Sequence, residues 1–111
     1  MPDNTVLLLN TLGLAKRAGS IMVGQDHVFD ELRKHIPLLV IVSDDCSANV
    51  LRSVDAGAER GEVTKVVLRG IDRNALGAAM GLKTAQVAAL SLQDGFAKKV
   101  LSLQDRSDAD E

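Results

Sequence analysis

The residues with the clearest chemical potential surround Gly24. The apolar residues 21–23 run into this glycine, and a helical apolar pattern with Val28 and Leu32 begins directly after it. A strand–glycine–helix junction of this kind leaves the first amide N–H groups of the new helix without partners inside the helix. Such amides, at the positive end of the helix dipole, bind anions such as phosphate. The junction predicts an anion site made of backbone amides, although a simple turn would require the same glycine.

Charged side chains recur at helical spacing behind this junction. Asp26, Asp30 and Lys34 repeat every four residues, with His27 and Glu31 beside them. The spacing places them on one face of a helix, which is either a contact surface for a polar ligand or an ordinary solvated face. In the second case Asp30 would pair with a cation three or four residues later, and each such pair contributes about 0.2–0.5 kcal/mol. The sequence leaves both interpretations open.

Catalytic chemistry finds little support in the sequence. Cys46 follows a predicted strand at a position where α/β folds can carry a nucleophile, and His27 could serve as a base. Neither residue has a partner at an activating spacing, and the sequence contains no CxxC, HxxxH, GxxxxGK[ST] or GxGxxG pattern. We therefore expect no catalytic residues, no metal and no cofactor, and a small enzyme using Cys46 or His27 is the least favoured class of function.

Length and composition define the class of protein. A chain of 111 residues with 46% apolar residues is long enough for one domain with a real core. Phe29 and Phe96 are the only aromatic residues, which argues against a sheet that stacks RNA bases on aromatic side chains. The single cysteine suits a reducing cytoplasm. The sequence starts without a secretory pattern and has no apolar run long enough to cross a bilayer.

Charge is concentrated at the C-terminal end. The chain has 13 basic and 15 acidic residues and a net charge of −2. Four of the acidic residues and one basic residue fall in residues 105–111, so the rest of the chain is close to neutral. The negative net charge argues against general nucleic-acid binding, and the near-neutral body weakens that argument. We predict one domain over residues 1–104 and an acidic, disordered tail over residues 105–111.

The elements that must position these residues alternate along the chain. Helices are predicted over residues 5–18 and 25–35, from a cap at Ser47 or Asn49 to about residue 60, between Asp72 and Gly81, and from Asp94 onward. Strands are predicted over residues 20–23, 38–42, 63–68 and 86–92. This alternation predicts the α/β class, with four strands in a three-layer α/β/α sandwich. The strand order does not follow from the pattern.

Apolar spacing indicates which faces are buried. The buried stripe of the first helix is predicted to comprise Leu7, Leu8, Leu12, Leu14, Ala15 and Ala18. The second helix is predicted to bury Val28, Phe29 and Leu32. Residues 38–42 are apolar at every position, which predicts a strand buried on both faces.

Residues 7–103 resemble the ribosomal L-seven-Ae / L-thirty-e family of kink-turn RNA-binding proteins, and look closest to its small bacterial members. Five segments in order carry the resemblance: residues 12–19 (LGLAKRAG), 23–28 (VGQDHV), 39–49 (LVIVSDDCSAN), 76–81 (LGAAMG) and 94–99 (DGFAKK). No segment is specific for the family by itself. The five segments together, in the family's order over most of the chain, are specific for it.

The resemblance implies a mixed four-stranded sheet and binding to a sharply bent RNA internal loop beside sheared G·A pairs. The family signature at the start of the second helix is G-x-N-E-x-x-K, and Gly24 stands at its glycine. Asp26, His27 and Asp30 stand at its asparagine, glutamate and lysine positions. Asp26 lacks the amide donor, and Asp30 reverses the charge where a lysine would meet phosphate. We expect these changes to cost about 1–3 kcal/mol of RNA affinity, or roughly 10- to 100-fold.

The resemblance also implies a second contact surface in the loop before the last strand. Lys34 falls where many relatives carry a basic residue. The residues expected to contact RNA are Gly24, Gln25, Asp26, His27, Asp30, Lys34, Lys83, Thr84, Ala85 and Gln86.

Two hypotheses about function follow from the resemblance. The first is a non-enzymatic RNA-binding protein that recognises a kink-turn-like bent RNA with a weakened motif, in the ribosome or another part of the translation apparatus. The alternative is a ribosome-associated protein-interaction module of the same fold without kink-turn specificity, with ribosomal proteins as partners. In both cases we expect a cytoplasmic monomer without membrane contact.

Overall fold

The computed structural model describes the backbone of residues 4–109 and the side chains of residues 4–104. Helices and strands alternate throughout this part of the chain, as predicted. The helices are α1 (Asn4–Arg17), α2 (Gln25–Leu32), α3 (Ala48–Glu59), α4 (Arg73–Ala79) and α5 (Gly95–Ala109). The strands are β1 (Met22–Val23), β2 (Leu38–Ser43), β3 (Val63–Leu68) and β4 (Val87–Ser91).

Polar side chains fix the starts of three helices. Ser47, Asp72 and Asp94 each accept a backbone N–H two or three residues ahead, at 3.3, 2.8 and 2.8 Å respectively. A side-chain oxygen at this position satisfies amides that the first helical turn leaves unpaired. Ser47, and not Asn49, is therefore the cap of α3.

The four strands form one mixed sheet in the order β1-β4-β2-β3. β2 and β3 are parallel, whereas β4 is antiparallel to both of its neighbours, β1 and β2. Consequently, the same end of the sheet contains the C-terminal ends of β1, β2 and β3 and the N-terminal start of β4. We call this row of strand termini the upper edge. The mixed four-stranded sheet expected from the resemblance is confirmed.

Two helical layers cover the sheet. One core contains Leu12 of α1, Leu76 of α4 and Val100 of α5, together with alternate residues of the strands. The second core, on the opposite face, contains Val28 of α2 and Val54 of α3. All six residues of β2 are buried, which confirms a central strand covered on both faces. The predicted three-layer α/β/α sandwich is therefore correct.

Some predicted boundaries and burials differ from the structure. Leu7 and Leu14 are 44% and 51% exposed, because α1 turns Leu8, Leu12 and Ala15 toward the sheet and α5. Ala18 is also exposed. The prediction that these three residues widen the buried stripe was wrong.

The second helix is shorter than predicted. α2 ends at Leu32 and not at residue 35, because His35 adopts a left-handed φ of 56° that stops the helix before Pro37. Phe29 and Leu32 are only half-buried, since they line a groove of about 340 Å³ between α2 and α3. β1 contains two residues, fewer than the four predicted.

The predicted division into a domain over residues 1–104 and an acidic tail over residues 105–111 stays a prediction. The α5 backbone is described to Ala109, while residues 110–111 and the side chains of residues 105–109 lie outside the described part. Among residues 4–109, no helix has the length and apolar character needed to cross a membrane.

Candidate nucleic-acid interface

The first part of the candidate interface is the start of α2. The Gly24 amide donates to the Val87 carbonyl at 3.0 Å, which extends the β1–β4 pairing by one residue. The Gly24 carbonyl then accepts the Val28 amide at 3.0 Å, so the helix begins immediately. Gly24 has φ 97° and ψ 154°, a conformation that only glycine adopts readily. The sharp turn from strand to helix therefore requires this glycine.

The amides that open α2 have no side-chain cap. Gly24 occupies the cap position and supplies no side-chain acceptor, which leaves the amides of Gln25, Asp26 and His27 without a partner from the helix itself. The side chains of Asp26 and His27 are exposed at this point. The junction thus has the form expected of an anion-binding helix start.

The second part is the loop of residues 82–86, which connects α4 to β4. The Leu82 amide donates to the Gly77 carbonyl at 2.9 Å, and the Ala85 amide donates to the Arg73 carbonyl at 2.9 Å. Two hydrogen bonds to α4 therefore hold both ends of this loop. Because the loop leads into β4, whose first residue is bonded to Gly24, it lies beside the start of α2 at the upper edge.

The four predicted residues of this loop differ in what they present to solvent. Lys83 and Thr84 are exposed, whereas the Ala85 side chain is only 6% exposed. The Gln86 side chain uses its amide oxygen to accept the Ser47 amide at 2.9 Å, which joins the loop to the start of α3. Lys83 and Thr84 are therefore the loop residues whose side chains are positioned to reach a ligand.

The charged face of α2 is internally paired. Arg33 Nη1 lies 2.5 Å from Asp30 Oδ1, and Lys34 Nζ lies 2.7 Å from Glu31 Oε1. All four side chains are exposed or partly exposed. The hydrogen bond and charge of Glu31 raise the pKa of Lys34 above its usual value. The interpretation of this face as a salt-bridged, solvated surface accounts for Asp30 and Lys34. Lys34 also lies beyond the C-terminal end of α2, away from Gly24.

An acidic pair supports the upper edge, a role that sequence reasoning missed. Asp44 accepts the Gly70 amide at 2.9 Å, and Asp45 accepts the Arg73 amide at 2.9 Å and its Nε at 3.2 Å. Partial desolvation acts to raise the pKa of Asp45, but the Ser43 side chain, followed by the hydrogen bonds and charge of Arg73, outweighs it and the pKa is lowered. Since the Arg73 carbonyl holds Ala85, this pair indirectly positions the loop. In the sequence, the signal for this role was the pair of aspartates that directly follows a buried strand.

The candidates for catalysis are not assembled into a site. Burial raises the pKa of the Cys46 thiol, which disfavours the reactive thiolate. Across the described part of the chain, no group of histidine, cysteine and acidic side chains is arranged to hold a metal ion.

The profile of the ribosomal protein L7Ae/L30e/S12e/Gadd45 family matches residues 8–102. The chain belongs to this family. The RNA-binding protein YlxQ of Bacillus subtilis (strain 168) is 35% identical over 95 residues, which cover 85% of this chain and 91% of that protein. The resemblance read from the five sequence segments is thereby confirmed, and membership supports the expectation that the chain is not an enzyme.

Solved structures of the same fold agree with this assignment. A protein of unknown function from Bacillus halodurans C has a TM-score of 0.77 and 26% identity, covering 88% of this chain and 96% of that one. The Giardia lamblia 15.5kD RNA binding protein has a TM-score of 0.74 over 98% of this chain and 92% of its own. At 20% identity, the second similarity shows a common fold and nothing finer.

Proposed function

We propose that this protein binds RNA without catalysis and that its target is a sharply bent, kink-turn-like RNA. Family membership and the similarity to a bacterial relative named an RNA-binding protein support RNA as the ligand. The observation that carries the proposal is the adjacency of the uncapped α2 start to the exposed part of the 82–86 loop, joined through the Gly24–Val87 hydrogen bond.

The two parts of this interface would make complementary contacts. The amides of residues 25–27 would donate to a phosphate or to the acceptor edge of an unpaired base. Lys83, on the neighbouring loop, would meet a second stretch of backbone, and Thr84 offers a hydroxyl beside it. A straight duplex offers one continuous backbone, whereas a sharp bend brings two backbone segments toward one small surface. This is why a bent RNA fits best.

The departures from the family signature weaken this binding without removing it. Asp26 keeps acceptor oxygens near the helix start, and His27 can donate or accept. The Asp30 carboxylate would repel phosphate, but its pairing with Arg33 neutralises part of its charge. We therefore expect measurable binding with a shallow salt dependence, because few lysine–phosphate contacts are made.

The proposed setting is the ribosome or another RNA of the translation apparatus in the cytoplasm, with the protein acting as a monomer. A protein-interaction module of the same fold remains the alternative, favoured by the internally paired charges on α2. Association with ribosomal proteins that survives nuclease treatment would favour the alternative. Association that is lost with the RNA would favour direct RNA binding.

The central experiment is a titration of fluorescent kink-turn RNA with the full chain, repeated from low to moderate salt. The matched controls are a duplex of the same length and a kink-turn whose sheared G·A pairs are replaced by Watson–Crick pairs. We expect the intact kink-turn to bind at least about tenfold more tightly than either control, a difference of about 1.4 kcal/mol. Equal affinity for all three RNAs at low salt would contradict kink-turn recognition.

A further inference from the structure

The 82–86 loop is attached to α4 at both of its ends. The Leu82 amide donates to the carbonyl of Gly77, near the end of α4, and the Ala85 amide donates to the carbonyl of Arg73, at its start. The loop therefore follows α4, and whatever fixes the position of this helix also fixes the exposed residues of the loop.

The last turn of α4 lies against the middle of α1. A Cβ added at Gly13 of α1 would lie 2.7 Å from the carbonyl oxygen of Ala79 and 3.9 Å from its carbonyl carbon. Ala79 is the final residue of α4. A real Cβ does not approach a carbonyl oxygen so closely, and a main-chain oxygen cannot rotate away as a side chain could. Any side chain at residue 13 must therefore push the two helices apart.

The close approach of α4 is the reason for a glycine at residue 13. The middle of a helix is an unfavourable place for glycine, which loses more conformational entropy there than alanine does. Gly13 does not have the positive φ that requires glycine at five other positions of the chain. Neither helix propensity nor backbone conformation accounts for Gly13, so the space that it leaves for the Ala79 carbonyl does.

α1 is held in place more extensively than the C-terminal end of α4. α1 has 14 residues, and Leu8 and Leu12 are 3% and 0% exposed in the core. α4 has only seven residues, and its start is fixed by the hydrogen bond of the Arg73 amide to Asp45 at 2.9 Å. A side chain at residue 13 should therefore tilt the end of α4 away from α1, and the 82–86 loop leaves the helix at that end.

We propose that Gly13 is a positioning residue for the 82–86 loop. Because Gly13 has no side chain, α4 lies against α1, and Lys83 and Thr84 stand beside the start of α2. The consequence for RNA affinity rests on the proposed function, whereas the consequence for the loop does not. A glycine that served helix packing alone would change stability when replaced and leave the loop where it is.

The first test follows the loop by NMR in the full chain labelled with ¹⁵N, without RNA. Gly13→Ala should shift the amide resonances of Lys83 and Thr84 and leave those of residues 25–27 unchanged. Gly57→Ala is the matched control, since its added Cβ would lie 2.6 Å from the Val63 Cγ2 on the opposite face of the sheet. It should leave the resonances of the loop unchanged. Unchanged loop resonances in folded Gly13→Ala protein would overturn the proposal, whether or not the protein binds a kink-turn.

The contact itself is measurable in the unmodified chain, so the proposal stays testable if Gly13→Ala does not fold. We expect nuclear Overhauser cross-peaks between the Hα protons of Gly13 and protons of residues 79–80. Their absence would contradict the close approach of α1 and α4 and would overturn the proposal.

The second test measures RNA affinity in a double-mutant cycle. Gly13→Ala should weaken binding to kink-turn RNA about fivefold, or about 1 kcal/mol. The dependence of log affinity on log salt should become shallower by up to about 0.9, because the phosphate contact of Lys83 is weakened. In a chain that already carries Lys83→Ala and Thr84→Ala, Gly13→Ala should weaken binding less than about twofold, since the residues through which it acts are gone. A fivefold loss in both backgrounds would show that Gly13 does not act through the loop and would overturn the proposal. If the wild type did not distinguish a kink-turn from a duplex, the proposed function would fail, and the NMR test would still decide the role of Gly13.

Discussion

Gly77 of α4 and Thr84 of the 82–86 loop are packed backbone against backbone. A Cβ added at Gly77 would lie 2.6 Å from the Thr84 Cα and 2.7 Å from its N and C atoms. These atoms belong to the main chain and cannot rotate away as a side chain could. Absence of a side chain at Gly77 therefore sets the position of the loop that the proposed function requires.

Gly77→Ala should displace the loop and weaken RNA binding. Overpacking of this kind costs about 1–3 kcal/mol of unfolding free energy. We expect a further loss of roughly tenfold in the affinity of the folded protein for kink-turn RNA, or about 1.4 kcal/mol, since Lys83 and Thr84 move with the loop. Chemical denaturation and RNA titration below the unfolding transition separate the two effects.

Gly57→Ala is the matched control for that prediction. Its added Cβ would lie 2.6 Å from the Val63 Cγ2, an equally close contact but on the α3–β3 side. It should destabilise the protein while leaving RNA affinity unchanged. If Gly57→Ala and Gly77→Ala reduced RNA affinity equally, the loop would have no special role.

Gly24→Ala should strain the junction through its backbone alone. Nothing lies within 4 Å of the added Cβ, but the φ of 97° is unfavourable for any residue with a side chain. The strain should cost about 1–3 kcal/mol of unfolding free energy. If the backbone rotated at this residue to relieve the strain, the α2 amides would turn away from their ligand. Gly61→Ala, with φ 77° and open space at the far end of α3, is the control. Only Gly24→Ala should reduce RNA affinity in titrations of folded protein.

Much of the architecture could be predicted because each element has a local physical signature. The uninterrupted apolar run of β2 predicted burial on both faces. Asp72 and Asp94 marked two helix starts, and the start of α3 was narrowed to Ser47 or Asn49, of which the structure selects Ser47. The exposure of Leu7 and Leu14 could not be predicted in the same way. Apolar type alone does not distinguish a residue that packs on the sheet from one that stays exposed on the same helix.

Only part of the candidate site could be predicted from the sequence. Gly24 was identifiable because a strand meets a helix there, whereas the pairing of the Gln86 amide oxygen with the Ser47 amide joins residues distant in sequence. The link from Asp45 through Arg73 to Ala85 depends in the same way on tertiary contacts. Such contacts between loops have no periodic signal in the chain.

The ion pairs around Glu62 should make stability depend on acid pH. The hydrogen bond from Arg60 at 2.6 Å, followed by that of His35 at 2.9 Å, lowers the pKa of Glu62 below its ordinary value of 4.5. A lowered carboxyl pKa stabilises the folded state above pH 4.5, and this stabilisation is lost as pH falls through the folded value. Glu62→Gln should flatten this part of the pH profile of the unfolding free energy.

The exposed Glu59 provides the comparison for that measurement, since it forms no ion pair with a described side chain. Glu59→Gln should leave the pH profile as in the wild type. Denaturation midpoints measured from pH 3 to 7 would test this, about the range over which carboxyl groups titrate. Identical profiles for wild type and Glu62→Gln would contradict a role for these ion pairs in stability.

Asp30→Lys should strengthen RNA binding, because it places a cation where the family signature has lysine. The change removes an exposed ion pair with Arg33, which costs no more than about 1 kcal/mol of stability. One added phosphate contact should steepen the dependence of log affinity on log salt by about 0.9 and raise affinity roughly 10- to 100-fold at low salt. Glu59→Lys makes the same change of charge on α3 and controls for general attraction to RNA. If both variants gained affinity equally, net charge alone would explain the result, and the face of α2 would not be the RNA-binding surface.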